Sequence, residues 1–188
     1  PGGPEISRLA KSYRDSSKFL GPRISSQENN LKNVEAWPDH KNSELFLPKI
    51  SFPRPMIYTK DYDFSFSGLK TAVLYYIRDL PTGQAGNGPL TDKIKSEIAK
   101  EFEEAVTDVL VTKTVKAVKN TKTKTLIVGG GVSANTFLQQ ALKEKIKAVD
   151  DKIKVHFPTK TLSTDNALMI AIGGYFQYQK KKPSKINK

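Results

Sequence analysis

The stretch TLIVGGGVSANTFLQQAL, residues 125–142, predicts a strand that runs through three consecutive glycines into a helix. The apolar, β-branched run at its start is typical of a short buried strand. After the glycines, Phe137, Leu138, Ala141 and Leu142 recur at the spacing of one helix face. This order of strand, glycine loop and helix decides the expected fold.

The glycine loop, Gly129–Gly131, is laid out like a phosphate cradle. Glycine lets the backbone approach a ligand, and the N–H groups of the following helix's first turn face an anion. Asn135 stands near the helix start, where its side chain can cap the helix or contact a ligand. The pattern is neither a Walker motif nor Gly-x-Gly-x-x-Gly, because no Gly-Lys-Ser/Thr follows. A tight strand-to-helix turn accounts for the same glycines.

The C-terminal third of the chain continues the alternation. KIKVHFP, residues 152–158, predicts a second strand, and STDNALMIAIGGYFQYQ, residues 163–179, predicts a second helix. That helix is apolar on nearly all sides between Ala167 and Ile172, so we expect it to be buried. Strand, helix, strand, helix is typical of an α/β protein.

Three further elements are expected upstream. Alternation from Tyr62 to Ser67 suggests a short strand, and the next residues predict a helix with Leu69, Val73 and Tyr76 on one face. A long helix is predicted over 92–119. We expect its apolar stripe to face the core and its lysines and glutamates to cover the other face.

Irregular segments separate these elements. Residues 1–20 open with a turn and then show helical spacing through Ile6, Leu9 and Ala10. Residues 21–49 are polar and interrupted by proline, which predicts a long irregular connection. Residues 81–89 hold three glycines and two prolines and predict a flexible surface loop.

The composition narrows the classes of function. The 188 residues carry 31 lysines and arginines against 19 acids, a net charge of +12. Such a surplus favours a polyanionic partner such as RNA, although a lysine-rich solvated surface has the same composition. The absence of cysteine excludes disulfides, a thiolate nucleophile and a cysteine zinc site. The sequence also contains no apolar run long enough for a membrane span.

Four motifs together resemble one family. They occur in this order: PGGPEISRLA (1–10), FSFSGLKTAV (64–73), GGGVSANTFL (129–138) and STDNALMIA (163–171). The chain resembles the bacterial tRNA N6-adenosine threonylcarbamoyltransferases, once described as O-sialoglycoprotein endopeptidases. The resemblance runs from Pro1 to about Tyr178 and corresponds to a C-terminal portion, followed by a basic disordered tail at 179–188.

The resemblance implies a fold and a reaction. The fold is the actin-like ATPase fold, with two lobes around a nucleotide cleft. This chain would form the C-terminal lobe, with partial N-terminal elements and a helical insertion. The reaction moves threonylcarbamoyl from threonylcarbamoyl-AMP to N6 of the adenosine beside the tRNA anticodon. It needs no protein nucleophile. The implied setting is cytoplasmic, with a paralogous actin-fold subunit and a small P-loop ATPase as partners and no membrane.

The resemblance also implies roles for particular residues. Five of them fall at substrate-contact positions: Gly3, Ser7, Gly130, Gly131 and Asn135. Ser7 stands where many family members have an acid. Asp165 matches the family's aspartate ligand to a catalytic divalent metal, iron or zinc. Without the resemblance, an acid at that place is better explained as a helix cap or dipole partner.

One departure from the family is plain. The other metal ligands are expected from a His-x-x-x-His motif, whereas this chain has only His40 and His156, far apart. We therefore expect an incomplete chain that lacks the metal and is inactive alone. Two other functions stay open: a different actin-fold carbamoyltransferase or kinase, and a non-catalytic nucleotide- or RNA-binding module.

Overall fold

The computed structural model describes residues 3–16, 50–80 and 90–180. Its helices and strands are, in chain order, α1 (Gly3–Ser16), α2 (Ser67–Arg78), α3 (Asp92–Thr121), β1 (Thr125–Ile127), α4 (Thr136–Val149), β2 (Lys154–His156) and α5 (Ala167–Lys180). Two short 3-10 turns, Gly131–Ala134 and Lys160–Leu162, precede α4 and α5. All the expected helices are present, and so are the two expected strands of the C-terminal third.

The sheet is small and parallel. β1 pairs with β2 in a register that sets Leu126 opposite Val155, and α4 is the crossover between the two strands. A parallel pair requires such a crossover, because the chain must return to the same end of the sheet. The α/β assignment from the sequence is therefore confirmed.

The long helix α3 forms the centre of the packing. The Thr91 side chain caps its start by accepting a hydrogen bond from the backbone N–H of Ile94. Its end is marked by Lys122, whose positive φ of 51° turns the chain out of the helix. The predicted apolar stripe is buried at Ile94, Ile98, Ala105 and Val109. Part of this stripe packs with Phe52, Leu69 and Leu80 in the larger core cluster.

The prediction of one buried face for α3 was incomplete. A second row is also buried, and its members recur every three or four residues: Ser96, Ala99, Glu103, Thr107 and Val111. Helices α1 and α4 both contact α3. The small and polar side chains of the second row look like a solvated face in the sequence, although Glu103 is only 5% exposed. Glu103 accepts from side chains of both of these helices.

The predicted strand from Tyr62 to Ser67 was wrong. Residues 62–66 are irregular, and Ser67 already begins α2. The Nζ of Lys113, a fully buried lysine on α3, donates hydrogen bonds to the Asp61 carboxylate at 2.9 Å and to the Asp63 carbonyl at 2.5 Å. Lysine therefore takes a carbonyl that a strand neighbour would otherwise bind, which fixes the segment against α3 without a sheet.

The predicted burial of α5 was also wrong for the described chain. The helix forms, but none of its residues is buried. Ile170 is 69% exposed, and Ile127 at the end of β1 is 78% exposed. Within residues 3–16, 50–80 and 90–180, no element packs extensively on α5. The apolar side chains of α5 are therefore not covered by the described residues.

Several sequence predictions concern residues outside the described ones. These are the irregular connection at 21–49, which includes His40, and the loop at 81–89. Helix α5 includes Gln179 and Lys180, the first two residues of the predicted tail, and 181–188 lie outside the described chain. No helix among the described residues is both long and apolar enough to cross a membrane.

Replacing Asp61 with Asn should change how stability depends on pH. Hydrogen bonds from Lys113 and then Thr59 lower the pKa of Asp61 from 3.8 to about 2. A carboxyl group with a lowered pKa in the folded state stabilises above its unfolded pKa, near 4, and loses that contribution as the pH falls toward 2. Asp61→Asn should therefore be less stable than the wild type at pH 7, and this difference should shrink between pH 4 and 2.

Urea unfolding followed by circular dichroism at several pH values measures this difference. Asp151→Asn, which removes the same charge in an exposed turn, is the control. A stability difference between the wild type and Asp61→Asn that stays constant down to pH 2 would contradict the role of the Lys113 pair.

Candidate nucleotide-binding site

The glycine loop joins β1 to α4 through a tight turn. Gly130 has φ 88° and ψ 167°, a backbone conformation open to glycine and strained for other residues. The turn is closed by Ser133, whose backbone N–H and hydroxyl both donate to the Gly130 carbonyl, at 3.0 and 2.6 Å. Ser133 is buried, which anchors the turn beneath the loop. The glycine at 130 is therefore required by the turn itself.

The other two glycines are not explained by the turn. Neither Gly129 nor Gly131 has a positive φ. A Cβ atom added at Gly129 would meet nothing within 4 Å, and one at Gly131 would meet only the Thr164 methyl group, at 4.0 Å. Among the described residues, neither backbone strain nor packing demands glycine at these two positions. This favours a ligand that approaches the loop, the first of the two interpretations that the sequence left open.

Asn135 begins α4 and connects it to α1. Its Oδ1 accepts from the backbone N–H of Leu138 at 2.9 Å, so the side chain caps the helix. Its Nδ2 donates to the Ser7 hydroxyl at 3.0 Å and to the Glu103 carboxylate at 2.6 Å. The structure thus brings together two of the residues singled out from the sequence, 128 positions apart in the chain.

Glu103 and Arg14 complete this cluster and were missed by the sequence analysis. The guanidinium of Arg14 pairs with the Glu103 carboxylate at 2.5 Å and lies over the Phe137 ring, 3.9 Å from its centroid. Helices α1, α3 and α4 therefore meet at one buried charge. The signal that could have revealed Glu103 is its place in the row of small residues Ser96, Ala99 and Thr107, since a solvated face seldom spaces small residues at helical period.

Gly3 lies at the start of α1, one helical turn before Ser7. The Ser7–Asn135 hydrogen bond sets the beginning of α1 beside the beginning of α4. Helix N-termini carry unpaired N–H groups and a partial positive charge. Two such ends near a glycine loop make a suitable environment for an anion. Gly3 is exposed, and a Cβ there would meet nothing within 4 Å.

Asp165 lies in the turn before α5, and its neighbour Thr164 faces Gly131. The cap of α5 is Asn166, whose Oδ1 accepts from the Met169 N–H at 2.9 Å. Asp165 is exposed, and its carboxylate has no hydrogen bond or ion pair with any described residue. Asn166 therefore supplies the cap of this helix, so capping does not account for Asp165.

The residues present do not fit a metal by themselves. Nowhere in the described chain do three His, Asp or Glu side chains come together as ligands. His156 is exposed at the end of β2, where its carbonyl accepts from Val128. Metal sites of catalytic type usually take three protein ligands, and Asp165 would supply one.

These features define an α/β protein with a parallel sheet, a glycine loop at the end of one strand and a capped helix after it, an arrangement that suits an anionic ligand. Comparison with known proteins gives the family. The model of the TsaD family, tRNA N6-adenosine threonylcarbamoyltransferase, matches residues 17–172, and the chain belongs to this family. The resemblance seen in the sequence is confirmed.

Relatives with the same name extend the match beyond this range. The tRNA N6-adenosine threonylcarbamoyltransferase of Burkholderia mallei (strain ATCC 23344) is 38% identical over 93% of this chain and 40% of its own length. That of Thermosipho africanus (strain TCF52B) is 38% identical over 96% of this chain and 42% of its own length. The chain thus spans about two fifths of the relatives that it matches.

The loop glycines should differ in their tolerance of alanine. Gly130→Ala forces a side chain into a positive φ and should lower the free energy of unfolding by about 1–3 kcal/mol. Gly129→Ala meets no atom and should leave stability unchanged or raise it by up to about 1 kcal/mol. Urea unfolding of the two variants measures this contrast. Equal losses of stability would show that Gly129 is also demanded by the fold.

Proposed function

We propose that this chain is the C-terminal, nucleotide-binding part of a tRNA N6-adenosine threonylcarbamoyltransferase with the actin-like fold. The proposed reaction transfers threonylcarbamoyl from threonylcarbamoyl-AMP to N6 of the adenosine beside the anticodon, and AMP leaves. Family membership supports this, as does the printed name of the relatives. The activity is proposed for a protein of the relatives' length, because this chain spans about two fifths of that length.

The observation that carries the proposal is the uncovered glycine loop beside Asn135. Gly129 and Gly131 leave the backbone open where neither the fold nor the turn requires glycine. Helix α4 begins shortly after the loop, and Asn135 at its start donates a hydrogen bond to Ser7 in the second turn of α1. The adenylate would lie against the backbone of the loop, residues 129–131, with Asn135, Ser7 and Gly3 around it.

In this mechanism the chain acts by position and charge. Holding the adenylate and the acceptor amine in one geometry removes much of the entropic barrier of a two-substrate reaction. The helix N-termini stabilise the negative charge of the departing AMP phosphate. The attacking group is the amine of the tRNA base, so no nucleophilic side chain of the protein takes part.

Asp165 is proposed as one ligand of a divalent metal, iron or zinc. It lies next to the residue that faces Gly131, and its carboxylate is exposed. A divalent metal held there would act as a Lewis acid toward the threonylcarbamoyl carbonyl group. The described residues do not supply the other ligands.

The proposed partners follow from the family. tRNA and threonylcarbamoyl-AMP are the substrates, and a paralogous actin-fold subunit and a small P-loop ATPase are further proposed partners in the cytoplasm. The net charge of +12 supports a polyanionic substrate. Several lysines at the end of α3 and just after it have no acidic partner among the described residues: Lys119, Lys122 and Lys124.

Nucleotide binding tests the proposal. In the protein as its gene encodes it, Gly129→Val should weaken AMP binding at least about tenfold, because the side chain occupies the space where the ligand would approach. Isothermal calorimetry measures the affinity, and circular dichroism checks folding. Gln140→Val, which adds the same side chain at an exposed position of α4, is the control. Unchanged AMP affinity in Gly129→Val would refute the role of the loop.

Binding of tRNA should depend steeply on salt. Lysines that neutralise phosphates release counterions, so the logarithm of the affinity falls linearly with the logarithm of the salt concentration. Changing Lys119, Lys122 and Lys124 together to Gln should make this slope shallower by about two to three units if they contact phosphates. Filter binding of unmodified tRNA between about 50 and 200 mM salt measures the slope. A slope that is identical in the triple variant would exclude these lysines from the tRNA surface.

A further inference from the structure

The orientation of the Asn135 side-chain amide is fixed by two groups that cannot exchange roles. An amide oxygen and nitrogen are alike in shape, so their partners decide which way round they lie. The backbone N–H of Leu138 can only donate, and it faces Oδ1 at 2.9 Å. The Glu103 carboxylate, ionised beside the Arg14 guanidinium, can only accept, and it faces Nδ2 at 2.6 Å. The Ser7 hydroxyl can donate or accept a hydrogen bond, so it does not determine the orientation of the amide.

This arrangement uses all the donors of Asn135. One N–H of Nδ2 goes to Glu103 and the other to Ser7. Oδ1 gives one lone pair to Leu138 and keeps the second. Asn135 is half-buried, so part of the residue is open to a bound molecule. The amide can therefore accept one further hydrogen bond and has no N–H left to donate.

We infer that Asn135 recognises a hydrogen-bond donor on the ligand, a ribose hydroxyl of the bound adenylate, and that Glu103 is the positioning residue that enforces this polarity. The inference rests on the proposed nucleotide site. It adds which ligand group is read at Asn135 and assigns a role to a buried carboxylate on another helix. Glu103 acts through Asn135 and does not contact the nucleotide.

The chemistry of the cluster explains why a carboxylate stands at position 103. A neutral glutamine there could offer Asn135 either its oxygen or its nitrogen, so both orientations of the Asn135 amide would be permitted. An ionised carboxylate permits only one. Arg14 compensates the buried charge from the opposite oxygen and is itself held by the Phe137 ring. The pair thus lets an acceptor-only group lie 5% exposed beneath the site.

The test compares two ligands in the protein as its gene encodes it: AMP and 2′,3′-dideoxy-AMP, which lacks both ribose hydroxyls. Calorimetry should show that the wild type binds AMP about tenfold more tightly than the dideoxy analogue. In Glu103→Gln this ratio should fall at least about threefold, through weaker AMP binding and unchanged binding of the analogue.

The matched control is Glu97→Gln. Glu97 lies on the same helix and also bridges to α1, since it accepts from the Tyr13 hydroxyl at 3.1 Å. It has no hydrogen bond to Asn135. A general loosening of the contact between α1 and α3 would affect both glutamate variants, whereas a role through Asn135 affects the AMP preference of Glu103→Gln alone.

The outcomes separate the two proposals. If Asn135→Ala loses the preference for AMP and Glu103→Gln keeps it, the positioning role is wrong and the nucleotide site stands. If Asn135→Ala binds both ligands as the wild type does, the assignment of Asn135 to the nucleotide site is wrong. Circular dichroism of each variant shows whether it is folded.

A measurement on the wild type does not depend on any variant folding. In protein labelled with 15N-asparagine, the Asn135 side-chain amide protons should exchange slowly with water, and they should stay protected when AMP is added. Exchange as fast as that of exposed asparagines, or loss of protection on adding AMP, would show that the N–H groups are available to ligand and would overturn the inference.

Discussion

One buried carboxylate that joins three helices is the constraint on which the site depends. Glu103 on α3 accepts from Arg14 of α1 and from Asn135 of α4. An unpaired carboxylate at 5% exposure would be strongly destabilising, so neither helix can move away without leaving a charge uncompensated. The glycine loop is therefore attached to a helix that is fixed at its first residue. A short parallel sheet of two strands could not by itself hold the loop so firmly.

A second buried charge fixes another part of the chain to α3. Lys113 lies beneath the segment before α2 and donates to the Thr59 hydroxyl, the Asp61 carboxylate and the Asp63 carbonyl. The Asp63 carbonyl, which a neighbouring strand would otherwise bind, is thus paired with a lysine side chain. The two charges, Glu103 and Lys113, lie ten residues apart on one helix, and each fixes a different part of the chain. Thus α3 supports the structure through two polar anchors as well as through its apolar stripe.

The apolar surface of the C-terminal third stands in contrast to this packing. Helix α5 and Ile127 of β1 expose large hydrophobic side chains, and parallel sheets are normally covered on both faces. The comparisons show that relatives are about two and a half times as long as the matched segment. An apolar helix that the described residues do not cover fits a family whose members are larger. The sequence predicts burial for α5, and the described part of the chain lacks a surface to bury it.

The sequence by itself determined the order of the elements, the α/β class, the glycine loop and the family. These features are local: hydrophobic period, glycine runs and motif order can be read within a few neighbouring residues. The tertiary structure alone decided which polar residues meet. Nothing near Ser7 in the chain points to Asn135, and the row of small residues around Glu103 indicates burial without showing which residues Glu103 meets. The tertiary structure also decided that the alternating Tyr62–Ser67 segment forms no strand. A strand exists only where a neighbouring strand exchanges hydrogen bonds with it, and here Lys113 binds the Asp63 carbonyl instead. Hydrogen bonds between residues distant in the chain depend on the packing of whole helices, and local patterns carry no record of that packing.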